Sequence, residues 1–143
     1  MSKSEKIRAI ALGLIRDGDR IFIGQSYDPE RKKPFYRAMG GGVKFGETSL
    51  EALKREFQEE IQAELTNIRY LGCLESIFVF KGKPGHEIIQ LYEGDFVDPK
   101  FYQLQQIAFV EKKNRQKLGL WVEIDKLKSG ELYVVPSQFL DYL

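Results

Sequence analysis

Three carboxylates, Glu56, Glu59 and Glu60, stand at positions i, i+3 and i+4 in the run Arg55-Glu56-Phe57-Gln58-Glu59-Glu60. In a helix turning about 100° per residue they share a sector roughly 100° wide. Like charges at this spacing repel, weakening a helix by roughly a few tenths of a kcal/mol per pair unless a positive charge lies among them. A divalent cation answers that repulsion, and all-oxygen ligands with no Cys or His nearby favour a hard ion, Mg²⁺ or Mn²⁺, over zinc. Magnesium would keep waters available for chemistry. Taken alone, such glutamates are more commonly a solvated helix face. The preceding segment, Gly40-Gly41-Gly42-Val43-Lys44-Phe45-Gly46-Glu47, weighs against that. Its four glycines let backbone turn sharply and approach another group closely, and a glycine-rich turn into a helix is also a weak sign of phosphate binding.

Gly41, five residues, Glu47, seven residues and then Arg55-Glu56-Phe57-Gln58-Glu59-Glu60 together resemble the Nudix box, Gly-x5-Glu-x7-Arg-Glu-U-x-Glu-Glu-x-Gly-U, where U is a bulky apolar residue. The likeness departs at its end, with Gln62 at the second glycine and the small Ala63 at the last U. No carboxylate is lost. The resemblance covers 23 residues, Gly41 to Ala63, and implies an α/β fold, a Nudix-like α/β/α sandwich with a mixed β-sheet core. It also implies Mg²⁺-dependent hydrolysis of a nucleoside diphosphate linked to another moiety. Carried over by position, Glu56, Glu59 and Glu60 would ligate metal together with the Gly41 carbonyl, Glu47 would support the site, and Arg55 would orient the carboxylates. Glu59 is the favoured general base, and Glu111 is the best candidate outside the box.

Those residues need a scaffold. From Thr48 to about Gln62 there is no Gly or Pro, and Leu50, Leu53, Phe57 and Ile61 recur at helical steps, which predicts an amphipathic helix. Thr48 with Glu51 forms a plausible capping box. The glutamate face is displaced by roughly 110° from the apolar stripe, so the stripe can pack on a sheet while the carboxylates meet a cleft. Ala9–Ile15 and Ile21–Ile23 flank Asp17-Gly18-Asp19-Arg20 and read as a hairpin, its first strand buried on both faces. Ile68–Leu74, Ile77–Phe80 and Ile88–Tyr92 form a second strand cluster, with a turn at Gly82–Gly85. Ile107–Val110 and Leu118–Ile124 add strands around a charged stretch, Glu111–Lys117, and helical pieces near Asp125–Leu127 and Pro136–Tyr142 close the chain.

The segment Ser26–Arg37 is expected to be a loop with binding duties. Arg37 and the basic Arg31, Lys32 and Lys33 could contact phosphates, and Tyr27, Phe35 or Tyr36 could stack on a base. Arg37, Tyr36 and Glu111 are therefore the substrate-binding candidates. His86, the lone histidine, reads as a turn residue, Trp121 as core with an N–H needing a partner, and Cys73 as a small core residue.

With 143 residues, one domain spanning 1–143 is expected. Hydrophobic residues at 43% and charged residues at 30% exclude a disordered or fibrous chain. The formal charge of +1 gives no global field toward nucleic acid or anionic lipid, so anion binding must be local. No apolar run approaches the roughly 20 residues of a membrane span, and Met1–Lys6 leads into no signal-peptide pattern, so a cytoplasmic location is the default. The expected partner is a small-molecule nucleotide, without membrane. Nucleic acid is not expected apart from RNA 5′ ends, and a homodimer is left open. A nucleotide-binding sensor of the same fold is the competing reading.

Overall fold

The computed structural model describes residues 5–111 and 115–143. The first four residues of Met1–Lys6 and the middle of the Glu111–Lys117 stretch lie outside them. Eight strands form one mixed sheet: β1 (Ile7–Asp17), β2 (Arg20–Asp28), β3 (Lys33–Arg37), β4 (Met39–Gly42), β5 (Leu65–Phe80), β6 (Lys83–Phe96), β7 (Gln106–Glu111) and β8 (Arg115–Glu123). The order along the sheet is β5-β6-β1-β2-β8-β7. β1 and β6 run parallel, and the neighbouring pairs are antiparallel.

The site's position follows from a split in this sheet. β1 and β2 pair only from Ile15↔Phe22 to the turn at Asp17↔Arg20. Beyond that point β4 takes up the freed edge of β1, with Ile10↔Gly42 through Gly13↔Met39, and β3 takes up that of β2, with Gly24↔Arg37 through Asp28↔Lys33. Ser26–Arg37, expected as a loop, is therefore a β2–β3 hairpin arm. Its basic residues sit near its tip, where Arg31 and Lys33 both lie over the Tyr133 ring at 4.7 Å.

Both faces of β1 are buried, as expected of a central strand. Ala11 and Ile15 join Phe22, Leu53, Phe57, Phe96, Phe101 and Trp121 on one side. Ile10, Leu12 and Leu14 join Ile21, Ile89, Leu127, Val134 and Phe139 on the other. The first face is covered by α1 (Ser49–Ile61) and α2 (Lys100–Gln103), the second by α3 (Ile124–Lys128) and a 3₁₀ helix (Ser137–Tyr142). Trp121 is core, and its Nε1 donates to the Phe101 carbonyl at 2.8 Å, which satisfies the N–H that burial would otherwise strand. Among the described residues no helix is long and apolar enough to cross a membrane.

α1 starts with the expected capping box. The Thr48 hydroxyl accepts from the Glu51 amide at 3.1 Å, and the Glu51 carboxylate accepts from the Thr48 amide at 2.9 Å. Leu53, Phe57 and Ile61 are buried along with Ala52, whereas Leu50, in the first turn, is exposed. Cys73 is exposed rather than core, because it points outward from β5, a sheet edge, while Leu74 beside it packs inward. The expected strands at 68–74 and 77–80 are one strand, β5, which accommodates an irregular register between Tyr70 and Gly72.

At the other end of α1, Gln62 has φ 53° and ψ 42°, the left-handed conformation that closes many helices. Its amide donates to the Gln58 carbonyl at 3.1 Å and the Ala63 amide to that of Phe57 at 3.2 Å, so Ala63 turns into the core. The bend survives without glycine because the surrounding contacts enforce it, at the steric cost a Cβ incurs there. Gln62→Gly is expected to stabilise the protein by about 1 kcal/mol. A denaturation midpoint unchanged or lowered would show that Gln62 is unstrained.

Candidate functional site

A cleft of about 300 Å³ opens where β1 and β2 part. One wall is the glycine segment of β4 with Glu56, Glu59 and Glu60 of α1, and the facing rim brings Phe109 and Glu111 of β7 and Lys117 of β8.

The carboxylates are pressed against the backbone. Glu56 is 6% exposed, and a Cβ built on Gly41 would lie 2.5 Å from its Cδ and 2.6 and 2.7 Å from its two carboxylate oxygens. No side chain fits between them, so Gly41 is a glycine by close approach. Gly40, next in the strand, has φ 142°, a second departure that an L side chain resists.

One guanidinium organises the acidic groups. Arg55 donates to Glu47 through Nε (2.7 Å) and Nη2 (2.9 Å), to the Gly42 carbonyl through Nη2 (2.8 Å), and through Nη1 to Glu56 (3.0 Å) and Glu59 (3.3 Å). Its own pKa is driven further above the ordinary arginine range, Glu47 contributing most. Arg55, with the Lys44 amide, holds the Glu47 carboxyl down at about 2. Helix and glycine segment are thereby tied together through Glu47 and Gly42 as well as through packing.

Glu60 is the group Arg55 does not reach. It is 9% exposed, and its buried Oε1 has no hydrogen-bond partner among the described residues. Burial, with Glu56 and Glu111 beside it, pushes its carboxyl up to about 9; Lys117 opposes this and Glu59 adds to it. Glu111 is ion-paired to Lys117 at 3.2 Å. As they stand, no three His, Cys, Asp or Glu side chains among the described residues converge tightly enough to grip an ion, because Glu56 and Glu59 are turned toward Arg55. The donor set nevertheless fits a hard divalent cation. It supplies an orphaned buried carboxylate oxygen, a second carboxylate wedged on bare backbone, and more negative charge than one guanidinium balances.

Of the sequence candidates, Gly41, Glu56, Glu59, Glu60, Arg37 and Glu111 line the cleft, and Glu47 and Arg55 buttress it from behind. Tyr36 is not brought there. It is 5% exposed among Ala38, Val134 and Phe139 on the opposite face, its hydroxyl taking a hydrogen bond from Gln25, since strand alternation turns its side chain away from that of Arg37. Tyr27 is exposed, and Phe35 packs edge-on against Phe80. His86 is a strand residue of β6, paired with Ile7 and Ile77. Sequence reasoning missed Arg8, Phe109, Arg115 and Lys117 as cleft residues. Phe109 carried a local signal in the apolar run from Ile107 to Val110, and Arg115 and Lys117 carried one in the charged stretch Glu111–Lys117.

The NUDIX domain family matches this sequence from residue 5 to residue 143. The chain belongs to the Nudix family. Its fold is similar to that of a NUDIX hydrolase from Nitrosomonas europaea, with TM-score 0.63 and 14% identity over 92% of this chain and 82% of that one. It is also similar to the mutator MutT protein from Bacillus halodurans, with TM-score 0.59 and 19% identity over 92% and 77%. The ORF135 protein of E. coli gives TM-score 0.56 and 18% identity over 96% and 87%. At these identities the likeness is one of fold. Nudix hydrolases act on pyrophosphate bonds, and this chain is an enzyme of that class.

The Glu60 geometry sets a pH response in metal-free protein. Its folded-state pKa lies above the ordinary 4.5, so folding retains its proton. That contribution to stability is complete below about 4.5 and is lost as pH rises toward 9. In chelator, the thermal midpoint of the wild type is expected to fall between pH 6 and 9, with a shallower decline in Glu60→Gln. Equal slopes in the two proteins would remove Glu60 as the cause.

Proposed function

We propose that the chain, as one domain of residues 1–143, is a Mg²⁺-dependent pyrophosphohydrolase that cleaves a nucleoside diphosphate linked to another moiety. Mn²⁺ is the expected substitute ion. The observation that carries this reading is the crowding of Glu56 against Gly41 together with the buried Glu60 oxygen that has no partner among the described residues, both residues lining the cleft.

Glu56, Glu59 and Glu60 would hold the cation, with the Gly41 carbonyl as a further ligand. Once bound, it would neutralise diphosphate charge and make a water acidic enough to attack phosphorus near neutral pH. Glu59, the carboxylate of the three that remains half exposed, would accept a proton from the attacking water on a carboxylate oxygen. The water oxygen would bond to phosphorus as the bridging P–O bond breaks, with that bond's electron pair leaving on the departing phosphate. Arg55 keeps Glu56 and Glu59 oriented, and Glu47 keeps Arg55 in place; Arg37 and Glu111 face the substrate from the rim. Positioning and charge complementarity supply most of the acceleration.

The test is a panel of ADP-ribose, NADH, dinucleoside polyphosphates and nucleoside triphosphates with Mg²⁺ and then Mn²⁺. Glu56→Gln and Glu60→Gln are each expected to cut turnover by about 10²-fold or more while leaving the thermal midpoint equal or higher. Wild-type rates in either variant would refute their role as ligands. Gly41→Ala keeps every carboxylate but drives Glu56 out of its seat, so Mn²⁺ affinity by calorimetry should fall roughly tenfold or more. Unchanged affinity would place the ion elsewhere.

A further inference from the structure

A buried carboxylate outside the box lies at the edge of the same cleft. Glu87 of β6 is 5% exposed, an environment that demands cationic partners. It has two. Arg37 Nη2 donates to its Oε1 at 2.5 Å, and Arg8 Nη1 lies 3.8 Å from its Oε2. Arg8 and Glu87 are register partners on the parallel strands β1 and β6, whereas Arg37 arrives from the β2–β3 arm, 50 residues away in sequence.

Both guanidiniums line the cleft. Arg8 also reaches the box: its Nη2 lies 3.1 Å from the point a Cβ on Gly42 would occupy, one residue along from the glycine that seats Glu56. Two guanidiniums against one carboxylate leave a net positive charge beside the acidic floor. On the far rim, Lys117 is already matched by Glu111.

We infer that Arg8 and Arg37 grip a further phosphate beyond the two joined by the attacked bridge, with Glu87 as the positioning residue that aims them. The substrate class this selects is a phosphate chain ending in a free dianionic phosphate, rather than a diphosphate esterified at both ends. A guanidinium fork matches phosphate oxygens in pairs and has no comparable match on a neutral sugar. Glu87 holds one Nη of Arg37 and draws one Nη of Arg8, which limits the freedom these long side chains would otherwise lose on binding. This inference rests on the hydrolase reading for the position of the attacked phosphate, but its binding test does not need turnover.

The experiment is calorimetry in Mg²⁺ on the full chain with two methylene-bridged, uncleavable probes: an adenosine triphosphate analogue with a free terminal phosphate, and an ADP-ribose analogue esterified at both ends. Wild type should bind the first more tightly. Arg8→Ala and Arg37→Ala should each weaken the first by roughly tenfold or more and the second by less than about twofold, as expected when a charge-assisted contact to one group is removed. In turnover, Glu87→Gln should raise KM for the cleavable triphosphate with kcat held, and Glu87→Asp should recover part of the loss. Equal weakening of both probes, no weakening, or no binding of either probe to wild type overturns the inference. Should the hydrolysis panel fail while the probes still separate the arginine variants, the hydrolase reading falls and the phosphate grip stands.

Discussion

Negative charge packed onto bare backbone is the constraint from which the cleft follows. Glu56 sits where a side chain on Gly41 would be, and Glu60 is buried beside it with an oxygen lacking any partner among the described residues. Such an arrangement is unfavourable for the apoprotein, because desolvation and mutual repulsion both penalise the ionised form. It persists because α1 is anchored independently of its carboxylates: Leu53, Phe57 and Ile61 bury one stripe on the sheet, and Thr48 with Glu51 fixes the first turn. Apolar packing and capping hold in place a polar face that would not assemble by itself.

Arg55 keeps this strain local. It serves Glu47, Glu56, Glu59 and the Gly42 carbonyl, which binds helix to glycine segment and leaves Glu60 uncompensated. The opposite shifts of Glu47, down to about 2, and Glu60, up to about 9, arise within fourteen residues of chain. One carboxylate receives charge-assisted hydrogen bonds, whereas the other is buried among like charges. Residues of the same type are thus driven to opposite protonation preferences by their surroundings.

The splayed sheet provides the room. If β1 and β2 stayed paired along their length, β3 and β4 would have no edges to occupy, and the glycine segment would not be delivered between the helix and the facing rim. The same split turns the sequence Ser26–Arg37 into a structured arm, which sends Arg37 to the cleft and Tyr36 to the opposite core. The expectation of a loop failed there for a plain reason. Prolines and charges near an arm's tip resemble those of a loop, and pairing with a distant strand leaves no local mark.

What could be known from the sequence alone was what depends on neighbours within a few positions: the α1 cap, its apolar stripe, the one-sided spacing of Glu56, Glu59 and Glu60, and the close-approach glycines before them. These follow from 3.6-residue periodicity and short-range sterics, and the box spacing carried the family with them. The left-handed Gln62 lay outside that reach, since nothing local favours it over glycine. Only the tertiary structure decided that Glu111 and Phe109 face the box, that Tyr36 does not, that Cys73 lies on an exposed edge, and that Arg8 and Arg37 converge on Glu87. Those placements are set by strand register between segments tens of residues apart, where shifting one strand by a single position would turn each side chain to the other face.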